Sequence, residues 1–332
     1  MSAAAKLFVL GSNSFGGASL IDGALSAGWT VEGCNRSPEA QDVLLPYAGN
    51  ARRGSFRFHH FDINNDFDAL SARLRDFAPD VVVDFAGQGM VAPSWEWPEQ
   101  WYHTNIVSKV RLHDVLRRLP SLKKYIRVST PEVYGDCDYA VDEAAPMRPS
   151  TPYAVSHAAI DLSLQAFQRH YGFPVVLTRF ANFYGAGQQL YRIIPRAAIC
   201  GLSGRKLPLH GGGTSVRAFI HGHDIASALL AVAERGRVGE TYHFSTDEFV
   251  SIRQLVELVA AKLGVDFAQM VELAPERPGK DQMYKMDWRK AREELSWQPA
   301  VTLDAGLGGV IEWVRQNIDT MLALPHDYIH KV

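Results

Sequence analysis

The sequence predicts an α/β fold in which a doubly wound parallel sheet is joined to a second, smaller α/β lobe. Short apolar runs, among them LFVL at residues 7–10 and VVV at 81–83, have the composition of strands that are buried on both faces. Amphipathic stretches at 67–77 and 107–119 alternate with these runs, as helices do in a parallel sheet. A glycine-rich turn directly after the first run is typical of the first strand-to-helix connection in such a fold.

The composition describes an ordinary folded chain and excludes several functions. Of its 332 residues, 47% are hydrophobic and 21% are charged, and the net charge of -2 gives no broad basic surface for a nucleic acid or an anionic membrane. No apolar run approaches the roughly 20 residues of a membrane helix. Cys34, Cys137 and Cys200 lie far apart and form no C-x-x-C pair, which argues against a disulfide framework or a structural zinc site. We therefore expect a cytoplasmic protein with no metal, nucleic-acid partner or membrane span.

The glycine-rich turn reads GSNSFGG at residues 11–17, and helical character begins within it. Glycines there allow the backbone to approach a pyrophosphate, and the helix N-terminus offers free amides to it. Ser14 stands where a G-x-x-G-x-x-G pattern has its middle glycine, so a plain strand-to-helix turn is the alternative. We expect a dinucleotide to be held here by Gly11, Ser14, Phe15 and Gly17.

The second strand ends in Asn35, Arg36 and Ser37, about 20 residues after the turn, where a carboxylate would hold the ribose of NAD. No carboxylate stands there, whereas an arginine pairs well with a 2′-phosphate. The cofactor is therefore expected to be NAD or NADP, with NADP preferred; a solvent-facing arginine is the alternative. Further on, Asp62 and Ile63 close a third strand and can present a carboxylate and an apolar side chain to an adenine.

Side chains suited to catalysis cluster at the carboxyl end of the strand at 125–129, where residues 129–132 read STPE. Tyr153 and His157 come about 20 residues later, one turn apart near the start of a predicted helix. A tyrosine that acts as a base near neutral pH needs a neighbouring cation or an oxidised nicotinamide to stabilise its phenolate. Thr130, Glu132, Tyr153 and His157 are therefore the candidate catalytic residues, although Thr-Pro-Glu is also common loop composition.

The order of these landmarks resembles that of the extended short-chain dehydrogenase/reductases, the NAD-dependent epimerase/dehydratase family that acts on nucleotide sugars. Over nearly the whole chain the resemblance adds AGQ at 86–88, Asn105, ANFYG at 181–185 and GGGTSVR at 211–217. Within the family, TPEVYG at 130–135 and RPGKDQMYKMD at 277–287 are most similar to the T-D-E-V-Y-G and R-P-G-x-D-x-x-Y-x-x-D motifs of dTDP-glucose 4,6-dehydratases. The end of the second strand is more similar to the NADP-using GDP-mannose dehydratases.

The resemblance implies a Rossmann sheet and a redox cycle on a tightly held cofactor. Hydride would leave C4 of a nucleotide-linked hexose, or an allied sugar such as a heptose, water would be eliminated across C5 and C6, and the hydride would return at C6. Tyr153 would take the 4-hydroxyl proton, Thr130 would bind the same oxygen and Glu132 would remove the C5 proton. The cofactor site would also include Ala86, Gly87, Gln88, Asn105, Tyr153 and His157, and the nucleotide diphosphate would be held by Asn182, Arg192, Arg217, Arg277 and Asp281.

Two residues depart from the family pattern. Relatives have lysine where this chain has His157, and imidazole is only partly charged at neutral pH, so its help to Tyr153 should be weaker. Pro131 stands where dTDP-glucose enzymes have an aspartic acid that protonates the leaving hydroxyl. GDP-mannose-type dehydratases also lack an acid there, so dehydration is not excluded.

The expected organisation is a dinucleotide-binding domain at 1–181, rejoined by about 217–230, and a nucleotide-sugar lobe formed mainly by 182–332. A homodimer is expected through helices at 105–119 and 152–171, with Leu112, Leu116, Leu162 and Phe167 as apolar candidates, although burial in the monomer core explains these residues equally well. The tryptophan-rich segment 95–101 either lines the sugar pocket or packs a loop against the core. Besides dehydration, three functions remain open: 4-epimerisation, decarboxylation, and nucleotide-sugar binding without turnover.

Overall fold

The computed structural model describes residues 4–137, 139–275 and 283–331. Its largest element is a seven-stranded sheet in which every neighbouring pair is parallel. In chain-order numbering its strands are β1 (Lys6–Leu10), β2 (Thr30–Asn35), β3 (Phe56–His60), β4 (Val81–Asp84), β5 (Lys124–Ser129), β7 (Val175–Phe180) and β11 (Thr241–Phe244). Their spatial order is β11-β7-β5-β4-β1-β2-β3.

Helices cover both faces of this sheet. Alternate residues of β1 enter opposite cores: Leu7 and Val9 pack with α1 (Phe15–Ser26) and α8 (Gly222–Arg235). Phe8 and Leu10 pack with α2 (Phe67–Phe77), α5 (Ser108–Leu116) and α6 (Pro152–Tyr171). Burial on both faces explains why the strands read as continuous apolar runs. This arrangement confirms the predicted doubly wound parallel sheet.

The smaller lobe has its own apolar core between helices and short strands. Its helices are α7 (Ile193–Ser203), α9 (Ile252–Leu263), α10 (Phe267–Met270) and α12 (Leu303–Leu322), beside the parallel pair β9 (Leu207–His210) and β13 (Val271–Ala274). A mixed three-stranded sheet of β8 (Asn182–Tyr184), β10 (Val216–His221) and β12 (Phe249–Ser251) lies at the junction of the two lobes.

The chain crosses between the lobes more than once. After β10, α8 packs so closely on α1 that a Cβ on Gly23 would lie 2.8 Å from that of Ala226. β11 then joins the large sheet beside β7, and α11 (Arg289–Leu295) packs near it. The remaining strands, β6 (Ala140–Val141) and β14 (Lys285–Met286), pair across the junction. The cleft between the lobes is therefore walled by segments that are distant in sequence.

Predicted helix boundaries hold for α2 and shift for the next helix. The sequence predicts a helix over 107–119, but α5 ends at Leu116, because Pro120 disfavours helical backbone at the residue before it. Two short helices, α3 (Ala92–Glu96) and α4 (Pro98–Tyr102), and a π-helical turn, His103–Val107, lead into α5. Among the described residues, no helix is both long and apolar enough to cross a membrane.

Candidate active site

The turn after β1 is closed by the serine that departs from the glycine pattern. Ser14 is the N-cap of α1 with extended backbone (φ -68°, ψ 148°), so this position needs no glycine. Its hydroxyl accepts from the Gly17 amide at 3.0 Å and donates to the Gly11 carbonyl at 2.7 Å. Gly11 itself has φ +80°, and a Cβ there would lie 2.8 Å from the Ala86 nitrogen. The N-terminus of α1 is thus held against the loop that follows β4, as a pyrophosphate site requires.

A cleft of about 1390 Å³ opens at the carboxyl ends of the strands and receives most of the predicted residues. At the dinucleotide end it is lined by Gly11, Ser14, Phe15, Asn35, Arg36, Ser37, Asp62, Ile63, Ala86, Gly87 and Gln88. The same cleft is also lined by Thr130, Glu132, Tyr153, His157, Asn182, Arg192 and Arg217. Arg277 and Asp281 lie outside the described residues.

Two predicted cofactor residues lie outside the cleft lining and shape it instead. A Cβ on Gly17 would approach the Gly11 carbonyl oxygen to 2.5 Å, so the turn and the helix can pack only with glycine there. The buried Asn105 amide accepts from the Gln88 N–H at 2.7 Å, and its Nδ2 donates to the Gln88 carbonyl at 3.1 Å and to Ser156 Oγ at 3.0 Å. Asn105 therefore joins the loop after β4 to α6.

The adenosine end of the cleft has positive side chains and no free carboxylate on β2. Glu32, the acidic residue of β2, is buried and bound by Arg73 at 2.8 and 2.9 Å and by His59 at 2.8 Å. Arg36 instead lines the cleft, donating to the Lys331 carbonyl at 3.1 Å. The Lys331 ammonium, which no sequence motif indicates as a site residue, contacts Ser37 Oγ at 2.6 Å.

The candidate catalytic residues meet where β5 ends and α6 begins. Thr130 caps the 3-10 helix Pro131–Tyr134 by accepting from the Glu132 amide at 3.3 Å. Thr151 caps α6 in the same way, accepting from the Ala154 amide at 3.1 Å. These caps fix where the two segments start, and the side chains of Thr130, Glu132 and Tyr153 interact across the gap.

Burial most strongly raises the pKa of Tyr153, and the Glu132 carboxylate raises it further. A hydrogen bond with Thr130 and the positive charge of Arg127 lower it. Burial, followed by Arg127, also holds the pKa of His157 well below its usual value, so this imidazole is neutral at physiological pH. The His157 ring lies 4.6 Å from the Tyr153 ring, and its Nδ1 lies 3.2 Å from Arg127 Nη2.

Tyr284 is a site residue that lies within the motif at 277–287, where the sequence indicates no role for it. Its hydroxyl donates to Asn182 Oδ1 at 3.1 Å, and the Arg217 guanidinium lies 4.6 Å from its ring centroid. It also faces Tyr153 closely enough to affect the pKa of that phenol. Arg192 precedes α7 and lies over the Tyr191 ring at 5.2 Å.

The tryptophan-rich segment packs against residues that follow α12 and does not line the cleft. His330 stacks between Trp97, at 4.7 Å, and the buried Trp101, at 5.3 Å. Its Nε2 also contacts the Gln100 side chain at 2.7 Å. The packing interpretation of this segment is therefore the one that the structure supports. In the described parts of the chain, no group of three or more His, Cys, Asp or Glu side chains is arranged to hold a metal ion.

Comparison with known proteins gives consistent similarities. The profile of a family described as GDP-mannose 4,6 dehydratase matches residues 8–309. The dTDP-glucose 4,6-dehydratase of Xanthomonas campestris pv. campestris is 30% identical over 320 residues, which cover 89% of this chain and 91% of that protein. The structure of the dTDP-glucose 4,6-dehydratase DesIV from Streptomyces venezuelae, solved with NAD bound, has a TM-score of 0.85 at 30% identity, covering 95% of this chain and 98% of its own. A UDP-glucose 4-epimerase from Thermotoga maritima also has a TM-score of 0.85, at 25% identity and 94% and 99% coverage.

Proposed function

The chain belongs to the GDP-mannose 4,6 dehydratase family, and we propose that it is a nucleotide-sugar 4,6-dehydratase that uses a tightly held NAD or NADP. The observation that carries the proposal is the convergence of Thr130, Glu132 and Tyr153 on one side of the cleft. A ketone-forming base and a second base for elimination are the groups that this reaction needs.

The residues at the dinucleotide end fit a nicotinamide cofactor. The capped N-terminus of α1 suits a pyrophosphate, and the backbone approach at Gly11 leaves no room for a side chain. When bound, the cofactor would supply the acceptor for the hydride that leaves C4 of the sugar. The cofactor would be regenerated within one catalytic cycle. His157 and Tyr153 would hold the ribose at its nicotinamide end, while Ser14, Phe15 and Gly87 would hold the phosphates.

The chain's own residues would move two protons. Tyr153, as phenolate, takes the proton of the sugar 4-hydroxyl, and Thr130 donates to the same oxygen. The resulting ketone acidifies C5, and Glu132 removes the C5 proton. In its acid form Glu132 then returns that proton to the 6-hydroxyl, which leaves as water, and C5 takes a proton from solvent when the hydride returns at C6. Asn182, Arg192 and Arg217 would hold the nucleotide diphosphate together with Tyr284. Arg277 and Asp281, outside the described residues, stay predicted members of this group.

NADP is the preferred cofactor in this proposal. Arg36, Ser37 and Lys331 form a donor cluster at the adenosine end, and Glu32 is committed to Arg73. Guanidinium and ammonium groups suit a 2′-phosphate, which a carboxylate would repel. The cofactor released from purified protein, identified by mass spectrometry, should be mainly NADP. Arg36→Leu should reduce NADP affinity about tenfold or more relative to NAD, whereas Arg57→Leu on β3 should not; equal effects of the two variants would contradict the preference.

The proposal includes a homodimer formed through α5 and α6. Leu112 and Leu116 belong to the monomer core, but Leu162 on α6 is 55% exposed and Val107 beside α5 is 51% exposed. Exposed apolar residues on adjacent helices favour a symmetric helical interface. Light scattering should give a dimer that Leu162→Glu dissociates and that Leu258→Glu, on α9, leaves intact. A wild-type monomer would contradict this part of the proposal.

A C4 epimerase is the second candidate, because a UDP-glucose 4-epimerase shares the scaffold. The position of Glu132 beside Tyr153 favours dehydration, since epimerisation needs no base at C5. A panel of GDP-, UDP-, CDP- and dTDP-sugars, screened by mass spectrometry and by NMR of the sugar ring, separates these candidates. A 4-keto product lighter by one water supports dehydration. An inverted sugar of unchanged mass indicates epimerisation, released carbon dioxide indicates decarboxylation, and binding without conversion indicates loss of turnover; each of these contradicts the proposal.

A further inference from the structure

A network of buried charges connects β4 to His157, one helical turn from Tyr153. At the end of β4, Asp84 accepts from Lys109 Nζ on both carboxylate oxygens, at 2.5 and 2.6 Å, and from the Tyr125 hydroxyl at 2.5 Å. Arg127 on β5 adds a second cation, with Nη1 3.6 Å from Asp84 Oδ2. Asp84 and Lys109 are fully buried, and Arg127 is 1% exposed.

The charges of this network do not balance. Burial alone would raise the pKa of Asp84, but Lys109 and Arg127 hold it below its usual value, so Asp84 carries one negative charge against two cations. The nearby Asp161 is already paired with Arg179 at 3.0 Å. Buried charges are ordinarily paired because desolvation is costly. The surplus positive charge lies on the Arg127 side, because Lys109 occupies both oxygens of Asp84.

Arg127 also sets the proton position on His157. A guanidinium only donates hydrogen bonds, so His157 Nδ1, 3.2 Å from Arg127 Nη2, must be the acceptor. The proton of the neutral ring is then on Nε2, and no hydrogen bond joins Nε2 to another described residue. The imidazole therefore brings a hydrogen-bond donor to the cleft and no charge of its own.

We propose that Arg127 is a positioning residue for the reaction: it fixes His157 as the Nε2–H tautomer and supplies the positive charge that favours the Tyr153 phenolate. The proposal rests on the dehydratase function above. His157 Nε2–H is then available to a ribose hydroxyl of the cofactor, and the charge comes from β5 instead of from position 157. No bond to Arg127 or His157 forms or breaks; the sugar 4-hydroxyl proton goes to the Tyr153 oxygen.

This division of roles predicts an unusual pair of mutants. Lysine at 157 would place a second cation against Arg127, and like charges at contact are unfavourable. His157→Lys should therefore slow the wild-type enzyme. In an Arg127→Met background the same lysine has no opposing cation and should restore the lost charge. If His157→Lys slows the reaction of the wild type but speeds that of Arg127→Met, the role of Arg127 is electrostatic and not merely structural.

The first test needs neither substrate nor turnover. In 15N-histidine-labelled protein, with the His157 signal identified by its loss in His157→Gln, Nδ1 should be unprotonated and Nε2 protonated between about pH 5 and pH 8. An imidazolium, or a proton on Nδ1, would overturn the proposal. The groups that affect the pKa of His157 or Tyr153 and must be considered are Arg127, Lys109, Asp84, Arg179, Glu132, Thr130 and Tyr284.

The second test is the pH dependence of cofactor reduction by the nucleotide sugar in a single turnover. In the pH–rate profile, the limb that reports Tyr153 ionisation should move to higher pH by about one pH unit or more in Arg127→Met. Arg127→Met/His157→Lys should return it toward the wild-type position, and Arg315→Met, on the exposed face of α12, should leave it in place. An unmoved limb in folded Arg127→Met, or a double variant no better than the single one, would overturn the proposal.

A third variant keeps the proposal falsifiable if Arg127→Met does not fold, as thermal unfolding will reveal. Glutamine offers one acceptor and one donor, like the neutral tautomer, so His157→Gln should slow reduction less than about tenfold and keep the wild-type limb. A larger loss, or a displaced limb, would mean that the imidazole itself supplies charge. Absence of dehydration in the wild type would contradict the proposed function, while the NMR result still decides the role of Arg127.

Discussion

Lys331 Nζ contacts Ser37 Oγ at 2.6 Å, and this contact joins the residues after α12 to the end of β2. The Lys331 carbonyl accepts from Gln88 Nε2 at 2.8 Å and from Arg36 at 3.1 Å. One residue earlier, His330 is held by its stacking between two tryptophans. Most residues of 324–331 also line the cleft, so this segment forms one wall of its cofactor end.

Loosening this wall should speed cofactor release. Trp97→Ala removes one side of the His330 stack, which is worth about 0.5–1.5 kcal/mol, so the cofactor dissociation rate should rise about two- to tenfold. Loss of the fluorescence of the bound reduced cofactor, after a chase with excess oxidised cofactor, measures this rate. The neighbouring Trp95→Ala is a matched control, because Trp95 is 53% exposed and stacks on no described ring. Equal rates in the wild type and Trp97→Ala would show that the wall does not retain cofactor.

Removal of the Tyr153 hydroxyl should stop the first step. Tyr153→Phe leaves the backbone of α6 unchanged, since Thr151 caps it, but takes away the base for the 4-hydroxyl. Cofactor reduction in a single turnover should slow by about 10²–10⁴-fold. Tyr139→Phe, at a residue 59% exposed, is the control. Reduction at the wild-type rate in Tyr153→Phe would assign the base to another group.

Three buried histidines should make the fold sensitive to acid. Burial lowers the pKa of His113 and of His243 to about 3 each, and that of His157 well below its usual value. Between about pH 6.5 and pH 3 the unfolded chain thus binds protons that the native state does not, so the free energy of unfolding falls as the pH falls. Each histidine contributes about 1.4 kcal/mol per pH unit in that window.

Urea unfolding at neutral pH and near pH 5 measures this slope. His243→Gln keeps a donor for the Asp287 carbonyl and an acceptor for the Tyr134 hydroxyl but cannot titrate. The dependence of the free energy of unfolding on pH should therefore decrease by about 1.4 kcal/mol per pH unit. His170→Gln, at an exposed position of α6, should leave the slope as it is. An unchanged slope in His243→Gln would mean that His243 is already protonated in the native state.

The architecture was predictable because it follows from local patterns. Apolar runs that alternate with amphipathic stretches fix a parallel sheet, and the ends of its strands identify the cleft. The residues lining that cleft at β1, β2, β4 and β5 were therefore identified in order along the chain. Ser14 weakened the glycine pattern, yet in the structure it performs the capping that the turn needs.

Contacts between distant parts of the chain were not predictable in the same way. Lys331 meets Ser37 across 294 residues, and no local pattern pairs them. Arg127 did leave a signal: a charged residue within a strand that is buried on both faces requires a partner. The sequence contains no indication that this partner is the histidine at the family's lysine position, because that pairing depends on how α6 packs beside β5.

Exchange of the C5 proton in deuterated water tests whether Glu132 removes that proton from a nucleotide-linked sugar. The wild type, incubated with the sugar nucleotide that its panel identifies, should yield 4-keto product carrying solvent deuterium. Glu132→Gln should bind cofactor with unchanged stoichiometry and still reduce it, yet incorporate no deuterium at C5. Deuterium at C5 in Glu132→Gln at the wild-type rate would show that another group removes this proton.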